Sequence, residues 1–477
     1  MKRYFLFLLI PVWVFGAIDV KDSVVKIYVT KKEYNYAEPW ASPTVTHGSG
    51  SGFIIEGNRI MTNAHVVSQA TYIELHTGRS KKRYPAEVKM IGHDCDLAIL
   101  EVKDPHFFDG KRPLKFSKRV LLEEEGVQVY GFPIGGDEIC VTKGIVSRIE
   151  LGRYVHSGEE LLMAQVDAST NPGNSGGPVL SKGKVVGIAH QGTMEGQNIG
   201  YMIPIPIIHH FLEENSENYQ GFPSTRFNFQ RFENAILRKE LGFDEGDEGI
   251  LMAQIPKNHF FDGVLKKGDI LLEFDGFPID AAGMIRLQDL DLSLPFEYLL
   301  LVKHYGESFE ATVMRDGERL ELKGIIDPKK RGKKLVPFQV HDEKPRYFIY
   351  GGAVFQPLVG NLILASCCPD IDYLFHMVKG EVSDERDEVV AFSSMLCGRG
   401  NSGYEDIQRS IVAKVNGKKV KNFKDFVALI EEADGPFIVI ETNRQERLSF
   451  EKREAEVLNQ EILERYAIPH DRSEDLR

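Results

Sequence analysis

One serine lies in a segment whose residue types suit nucleophilic catalysis. Ser175 belongs to the glycine-rich segment 171–178, and a serine hydroxyl becomes an effective nucleophile once a base removes its proton. The glycines allow a sharp turn, so the backbone N–H groups of Gly173, Asn174 and Ser175 can surround a developing oxyanion. The missing Cβ atoms at 176–177 would also let a substrate backbone approach closely. Taken alone, the segment could instead be a hairpin loop with an incidental serine.

A histidine and an aspartate upstream could complete this chemistry. His65 lies in segment 62–67, just past a predicted strand end, where an imidazole can reach a cleft and titrate near neutral pH. Asp96 directly precedes the apolar strand 97–100, and a carboxylate in such a place is costly unless it is paired. It is therefore well placed to hold an imidazole Nδ1–H. Asp94 competes for this role but lies further from the strand, and a lone histidine would more often be structural, so the prediction rests on the three residues together.

The elements around these residues are predicted to be short strands. Residues 20–205 contain apolar runs of strand length separated by glycine or proline, including a hairpin over 53–62. Strands at such intervals predict a β-barrel or a β-sandwich. The chain order of histidine, aspartate and serine resembles that of the chymotrypsin-type proteases, whose site lies between two β-barrels.

The chain changes character after this β-rich part. We predict a helix at 207–214, a linker around Pro223, a second unit over 225–326 and a third over 335–452. The second and third units share a weak strand-and-turn pattern, which suggests two diverged copies of one module. Within the third unit, Asn422 is placed to cap a helix whose buried face would consist of Phe423, Phe426, Val427 and Ile430.

Two charged segments flank the third unit. The basic run 329–334 is predicted to be a solvated linker, with an anion-binding patch as the alternative. Residues 453–477 are predicted to form a charged C-terminal tail, a helix followed by a frayed end that contains Pro469.

Length and composition exclude several classes of protein. At roughly 150 residues per domain, 477 residues suggest about three domains. Hydrophobic residues make up 42% and charged residues 27%, which leaves enough apolar surface for folded cores. No apolar run after residue 18 is long enough for a membrane-spanning helix. The net charge of -12 argues against nucleic acid as a main partner.

The N-terminus predicts export. Lys2 and Arg3 precede an apolar run, so residues 1–17 are predicted to be a secretory signal peptide. We expect a periplasmic protein of the bacterial envelope without stable membrane insertion after cleavage, and an uncleaved anchor is the alternative.

The cysteines are few and odd in number. Five are too sparse for a disulfide-stapled scaffold, so we expect buried thiols. A single bridge from the adjacent pair to the last cysteine is the alternative. The five are Cys95, Cys140, Cys367, Cys368 and Cys397.

The motifs together resemble the HtrA/DegP family of serine proteases. The resemblance rests on segments 62–67, 96–100, 173–178 and 200–204, and it covers nearly the whole chain. It implies a mainly β protein, with a chymotrypsin-like double β-barrel protease domain over 18–220 followed by two α+β PDZ-like domains. The long, divergent second PDZ-like domain is similar to that of the plant-type Deg branch and its bacterial relatives.

Carried over by position, the resemblance implies a role for each site residue. His65 would be the general base, Asp96 the residue that orients it and Ser175 the nucleophile. The loops 169–172 and 190–196 would shape the S1 pocket, where Ile188 and His190 are the candidate substrate-binding residues. His190 departs from the small polar residues often found at its position, so the cleavage preference is not carried over.

The resemblance also implies partners. A peptide C-terminus is expected to add as a strand at the first PDZ-like domain, beside Gly249, Ile250, Leu251 and Met252, with its carboxylate held by backbone N–H groups. Alternatively, the strands of the PDZ-like units cover the protease domain or pack against a neighbouring subunit. Family members form homotrimers or multiples of trimers through N-terminal aromatic residues, and alternatively these residues only pack on the first barrel. The candidates here are Tyr28, Tyr34, Tyr36 and Trp40.

The function expected from these features is ATP-independent cleavage of unfolded or damaged polypeptides. A chaperone that binds unfolded chains and cuts little is one alternative, and a scaffold built on the PDZ-like units is another. We expect no cofactor, because the glycine-rich run 48–52 leads into a strand and no P-loop sequence follows. We expect no metal either, since no ligand spacing of cysteines and histidines appears and His209 and His210 are only an adjacent pair.

Overall fold

The computed structural model describes most of the chain, and the predicted signal peptide, Cys367 and Cys368 lie outside the described residues. Among the described helices, none combines the length and the apolarity needed to cross a membrane. Cys95 is buried as expected, whereas Cys140 and Cys397 are exposed. The described residues are 20–77, 82–134, 136–169, 171–192, 199–244, 248–287, 292–366 and 370–477.

The first unit begins with a closed barrel of antiparallel strands. Its strands are β1 Val24–Glu33, β2 Thr44–Ile55, β3 Arg59–Thr62, β4 Ala70–Thr77, β5 Arg83–Gly92 and β6 Leu97–Val102, with helix α1 Ala64–Val67 between β3 and β4. They close in the order β1-β2-β3-β6-β5-β4. Alternate side chains of β1 point inward, as the period of two in a strand requires, and Val25, Ile27 and Val29 pack against Ile73 and Leu75 in the barrel core.

A second closed barrel follows. Its strands are β7 Gly126–Gly131, β8 Cys140–Arg153, β9 Glu160–Val166, β10 Pro178–Ser181, β11 Lys184–Gly192 and β12 Gly200–Pro204, and helix α2 Ile205–Glu213 follows them. They close in the order β10-β11-β12-β9-β8-β7. One apolar cluster joins the barrels, because Phe53 and Leu97 of the first pack with Leu162, Ile203 and Phe211. The prediction of two β-barrels is confirmed.

The second unit is an antiparallel sheet with short helices. The strands are β13 Asn228–Arg231, β14 Ile250–Gln254, β15 Ile270–Phe274, β16 Phe277–Pro278, β17 Met284–Leu287, β18 Leu292–Pro295, β19 Ser308–Arg315 and β20 Glu318–Ile325, and the helices are α3 Ala235–Glu240 and α4 Tyr298–Leu301. The main sheet has the order β13-β14-β15-β19-β20. Its core is rich in phenylalanine, with Phe261, Phe274, Phe296 and Phe309 fully buried.

The third unit is a larger sheet flanked by helices. The strands are β21 Phe348–Tyr350, β22 Ala353–Pro357, β23 Val390–Met395, β24 Ser410–Val415, β25 Lys418–Lys419, β26 Phe437–Thr442 and β27 Arg447–Glu451, and the helices are α5 Gly360–Leu364, α6 Ile371–Lys379, α7 Phe423–Glu431 and α8 Lys452–Arg465. The predicted capped helix is confirmed as α7. The Asn422 side chain accepts a hydrogen bond from the Asp425 N–H at 2.9 Å, and the four predicted apolar residues are buried.

The C-terminal tail differs from its prediction. The charged helix is present as α8, but the residues after it are folded against the third unit. Ile468 is buried, and the Ile349 N–H donates to the Asp471 carbonyl at 2.7 Å while the Ser473 N–H donates to the Tyr347 carbonyl at 2.9 Å. The expectation of a frayed end is therefore wrong, because buried backbone hydrogen bonds hold the segment.

The basic run 329–334 is also more ordered than a solvated linker. Arg331 donates to the Gln220 carbonyl at 2.6 Å and lies over the ring of Tyr305, 4.5 Å from its centroid. Burial lowers the pKa of Lys334 to about 8. The run therefore fastens the units to one another.

The connection between β1 and β2 reaches the third unit. Tyr36 is buried there, and its carbonyl accepts a hydrogen bond from Gln356 Nε2 at 3.1 Å. Trp40 packs edge-on against Tyr347, with 6.0 Å between ring centroids. Both aromatic residues thus join the first barrel to the third unit of the same chain. Neither of the two sequence-based alternatives, a trimer interface or packing on the first barrel, described this contact.

Candidate active site

His65 is held beside Asp96 by the first barrel. It lies on α1, directly after β3, and Asp96 occupies the turn before β6. The His65 Nδ1 atom lies 2.6 Å from Asp96 Oδ2, and the His65 backbone N–H donates to Asp96 Oδ1 at 2.7 Å. Asn63 Nδ2 donates to the Asp96 carbonyl at 2.9 Å, which secures a residue in the left-handed region at φ 53°. Neighbouring strands β3 and β6 therefore bring the pair together.

Asp96 is the candidate carboxylate that contacts His65, and Asp94 is not. Asp94 turns away and accepts hydrogen bonds from the Tyr219 hydroxyl at 2.6 Å and the Phe222 N–H at 3.0 Å. Those contacts fix the segment after α2 to the first barrel. These contacts hold the Asp94 carboxylate away from His65.

A second imidazole also binds Asp96. His190, on β11 of the second barrel, places Nδ1 at 2.8 Å from Asp96 Oδ2, and both side chains are buried. Burial raises the pKa of Asp96, but the charge of His65 and hydrogen bonds from His190 and His65 outweigh it and hold that pKa well below its usual range. Because a carboxylate can only accept, both imidazoles carry a proton on Nδ1. Whenever His65 is neutral, its lone pair is therefore on Nε2.

Ser175 stands at the contact between the barrels. Ser51 of β2 donates from Oγ to the Gly173 carbonyl at 2.7 Å and accepts from the Phe132 N–H at 2.8 Å. The Ser51 N–H also donates to the Ser175 carbonyl at 2.9 Å. Ser51 thus fixes the serine-bearing loop from the opposite barrel. Sequence reasoning missed it, because the run 48–52 drew notice only for its likeness to a nucleotide loop.

The loop leaves two backbone donors open near Ser175. Among the described residues, neither the Gly173 N–H nor the Ser175 N–H donates to an acceptor, and Gly173 adopts a φ of 101° that favours glycine. Asn174 is different, because its N–H donates to the Asn171 carbonyl at 3.0 Å and its side chain is buried. Asn174 was therefore wrongly included among the oxyanion donors, and the proposal below keeps Gly173 and Ser175.

The Ser175 hydroxyl does not hydrogen-bond to His65 in this structure. It donates from Oγ to the His190 carbonyl at 3.2 Å. Catalytic hydrogen bonds are often long or misaligned without substrate, so this arrangement is compatible with a serine that moves to the base when substrate binds.

Gly176 and Gly177 serve packing between protein segments. A Cβ atom on Gly176, whose φ is 84°, would overlap the Ser51 carbonyl and the Thr62 hydroxyl, and one on Gly177 would overlap the Tyr130 carbonyl. The two glycines were expected to make room for a substrate backbone. In the structure they instead allow strands from both barrels to approach closely.

The two residues predicted to line the S1 pocket are both buried. Ile188 is fully buried in the apolar cluster that joins the barrels, so it cannot touch a substrate. His190 is buried against Tyr154, with 4.6 Å between ring centroids, and its ring faces Asp96. Both assignments to the S1 pocket were wrong, because the strand alternation that decides which side chains face the core was not resolved from sequence. Residues 170 and 193–196 of the predicted pocket loops lie outside the described residues.

The predicted peptide-binding strand is already paired on both sides. In β14, Ile250 pairs with Arg231 of β13 and with Leu271 of β15. A strand has only two edges, so a peptide cannot add beside Gly249, Ile250, Leu251 and Met252 as predicted. The outer strand on this side of the sheet is β13. The sequence showed the strand but not its neighbours.

Among the described residues, three groups bring possible metal ligands together. One consists of His65, Asp96 and His190 at the candidate active site. The second group consists of His210, Glu214 and His304, and it does not include His209. The third group consists of His93, His156 and His341.

Comparison with known families agrees with the fold. The model of the trypsin-like peptidase domain matches residues 50–188, and the model of a PDZ domain matches residues 336–475. Two closed barrels with a PDZ domain and a serine-bearing loop define the chain as a trypsin-like serine endopeptidase.

Full-length relatives then place it in one family. The putative protease Do-like 3, mitochondrial, of Arabidopsis thaliana is 36% identical over 466 residues, 97% of this chain and 81% of the relative. Protease Do-like 2, chloroplastic, of the same plant is 34% identical over 463 residues, 95% of this chain and 75% of the relative. A structure of a variant of the HtrA-type protease AlgW with a decapeptide has the same fold, at a TM-score of 0.50 and 19% identity over 65% of this chain and 94% of that one. The chain belongs to the HtrA/Deg family of serine proteases.

Proposed function

We propose that this protease degrades unfolded or damaged polypeptides without ATP, through an acyl-enzyme formed on Ser175. The observation that carries the proposal is the contact of His65 Nδ1 with the buried Asp96 carboxylate at 2.6 Å, next to a serine-bearing loop with two open N–H donors. This arrangement supplies a base, a residue that orients the base and an oxyanion site at one place between the barrels.

The order of steps follows from the proton positions. Because Asp96 holds the proton of His65 on Nδ1, Nε2 is free to take the proton of Ser175 as Oγ attacks the peptide carbonyl. The Gly173 and Ser175 N–H groups would stabilise the oxyanion. His65 would then protonate the leaving amine, and water would release the acyl group by the reverse path.

Covalent labelling tests the nucleophile directly. A fluorophosphonate probe reacts with an activated serine, so the full chain is expected to carry one label on Ser175, located by peptide mass spectrometry. Asp96→Asn should label far more slowly, because the amide no longer fixes the productive tautomer. Labelling elsewhere, or equal rates in both proteins, would contradict the proposed machinery.

We further propose that the second unit binds peptide C-termini along β13. An outer strand can accept an added strand, and backbone N–H groups can hold a terminal carboxylate. The bound decapeptide of the AlgW structure supports a peptide-binding role. The full-length Ser175→Ala protein should bind a fluorescent apolar peptide with a free carboxylate more tightly than the amidated peptide, and equal affinities would refute carboxylate recognition.

Location and assembly complete the proposal. We propose export to the bacterial periplasm after cleavage of residues 1–17, which N-terminal sequencing of the mature chain tests. We also propose a homotrimer or a multiple of one. Its interface would have to use surfaces other than Tyr36 and Trp40, which are engaged within the chain. A monomer in light scattering would exclude it.

A further inference from the structure

Three histidines from three parts of the fold meet beside the proposed active site. His93 lies in the turn between β5 and β6 of the first barrel, and His156 lies in the connection between β8 and β9 of the second. His341 lies in the segment that leads into the third unit, before β21. Their separation along the chain explains why no ligand spacing is visible in the sequence.

The rings are close enough to share one ligand. His93 Nδ1 lies 3.0 Å from His156 Nε2, and the ring of His341 stacks on both, with centroids 4.4 Å from His93 and 4.0 Å from His156. One nitrogen from each ring falls within 4.8 Å of the others. A tetrahedral zinc with Zn–N bonds of about 2.0–2.1 Å holds its ligands about 3.4 Å apart. Because the lone pair of an imidazole lies in the plane of its ring, closing the set requires the stacked His341 ring to rotate as well as to shift by about an ångström.

Hydrogen bonds from Nε2 orient the rings of His93 and His341, as is usual for histidines that bind a metal. His93 Nε2 lies 2.9 Å from Asp342 Oδ2, and His341 Nε2 lies 3.1 Å from the His156 carbonyl. Carboxylates and carbonyls only accept, so both Nε2 atoms carry protons and both Nδ1 atoms carry lone pairs. Metal-bound histidines almost always donate their second N–H to such a carboxylate or carbonyl.

The cluster is open to solvent on one side. The side chains of His93 and Asp342 remain 24% and 39% exposed, which leaves a path for an ion to enter.

We propose that His93, His156 and His341 form a binding site for a divalent transition-metal ion, with zinc as the best match to three imidazoles and one open position. The ion would take the place of the proton that His93 and His156 now share. It would clamp the third unit to both barrels, because each contributes one ligand. Asp342 would couple the clamp to the end of α1, since it also accepts from the Ser68 hydroxyl at 2.9 Å and from the Gln69 N–H.

Zinc titration of the full chain against a chromogenic chelator tests the site. His341→Phe keeps a ring to stack but removes the ligand nitrogen, and it should weaken zinc binding at least about a hundredfold. Asp342→Asn keeps all three ligands and should weaken it about 10- to 100-fold. Co²⁺ should give the intense visible absorption of a tetrahedral site in the parent and not in His341→Phe.

Control variants separate this site from others. His106→Ala removes an exposed histidine paired with a single carboxylate, Asp109, and should leave zinc affinity unchanged. His304→Ala and His190→Ala disable the other two candidate groups. Unchanged zinc affinity in His341→Phe, or loss of the ion in His304→Ala or His190→Ala alone, would overturn the proposal and leave the stacked rings as packing.

Discussion

Replacing His190 separates the activity of the site from its stability. In His190→Phe the ring that packs on Tyr154 is retained, while the Nδ1–H that reaches Asp96 at 2.8 Å is lost. A hydrogen bond to a charged group contributes about 1.5–3 kcal/mol. If the transition state loses that contribution through a less well-fixed carboxylate, kcat falls about 10- to 150-fold at about 1.4 kcal/mol per tenfold.

The same change should have little effect on the free energy of unfolding. Among the described residues, His190 Nε2 is buried without a hydrogen-bond partner, and removing such a group recovers about 1–3 kcal/mol. This gain offsets the lost bond to Asp96. We therefore expect the unfolding midpoint of His190→Phe to stay close to that of the parent chain.

His190→Asn is the matched control, with the opposite pattern expected. The Asn Nδ2 atom is as many bonds from Cα as the His Nδ1 atom, so it can still donate to Asp96. The missing ring atoms leave a cavity that costs about 1–3 kcal/mol of stability. We expect this variant to keep most of its kcat and to unfold more easily.

The assay is the hydrolysis of a fluorogenic peptide, with kcat and KM measured separately beside urea denaturation. A positioning role requires kcat to fall in the Phe variant with KM nearly unchanged. Parent-like kcat in His190→Phe, or activity that tracks stability in both variants, would refute the reasoning.

Two further predictions concern buried polar groups. Ser51→Ala removes the hydrogen-bond partner of the Gly173 carbonyl and the Phe132 N–H. We expect denaturation to show a free energy of unfolding lower by about 1–3 kcal/mol, together with reduced activity. Unchanged stability would contradict this role of Ser51. Burial raises the pKa of Glu297 from 4.5 to about 7, so the folded chain binds this proton more tightly and stability falls as pH rises from about 4.5 to 7. Glu297→Gln should therefore be more stable than the parent by about 3 kcal/mol at pH 8 and similar to it at pH 4. An equal difference at both pH values would exclude this cause.

Local patterns allowed much of the fold to be predicted. Strand-length apolar runs indicated the barrels, and the spacing from Phe423 to Ile430 indicated α7, because both signals depend on neighbouring residues. The order of His65, Asp96 and Ser175 directed attention to the site, since each residue lies beside a strand with a recognisable pattern.

Features that depend on packing between distant segments could not be predicted. His190 reaches Asp96 only because β11 of the second barrel lies against the turn before β6. Ile250 is covered by β13, whose pairing depends on a register that composition does not reveal. The three clustered histidines come from three units, so their meeting follows from how the units pack.

The central claim is tested most directly by casein degradation with a protein that spans residues 18–477 and with its Ser175→Ala variant, at matched concentration and with matched unfolding midpoints. Loss of the nucleophile typically removes several orders of magnitude in rate. We predict cleavage by the parent chain and none by the variant. Equal cleavage by both proteins would contradict the assignment of Ser175, and silence from both, also with activating C-terminal peptides present, would contradict the proposed proteolytic function.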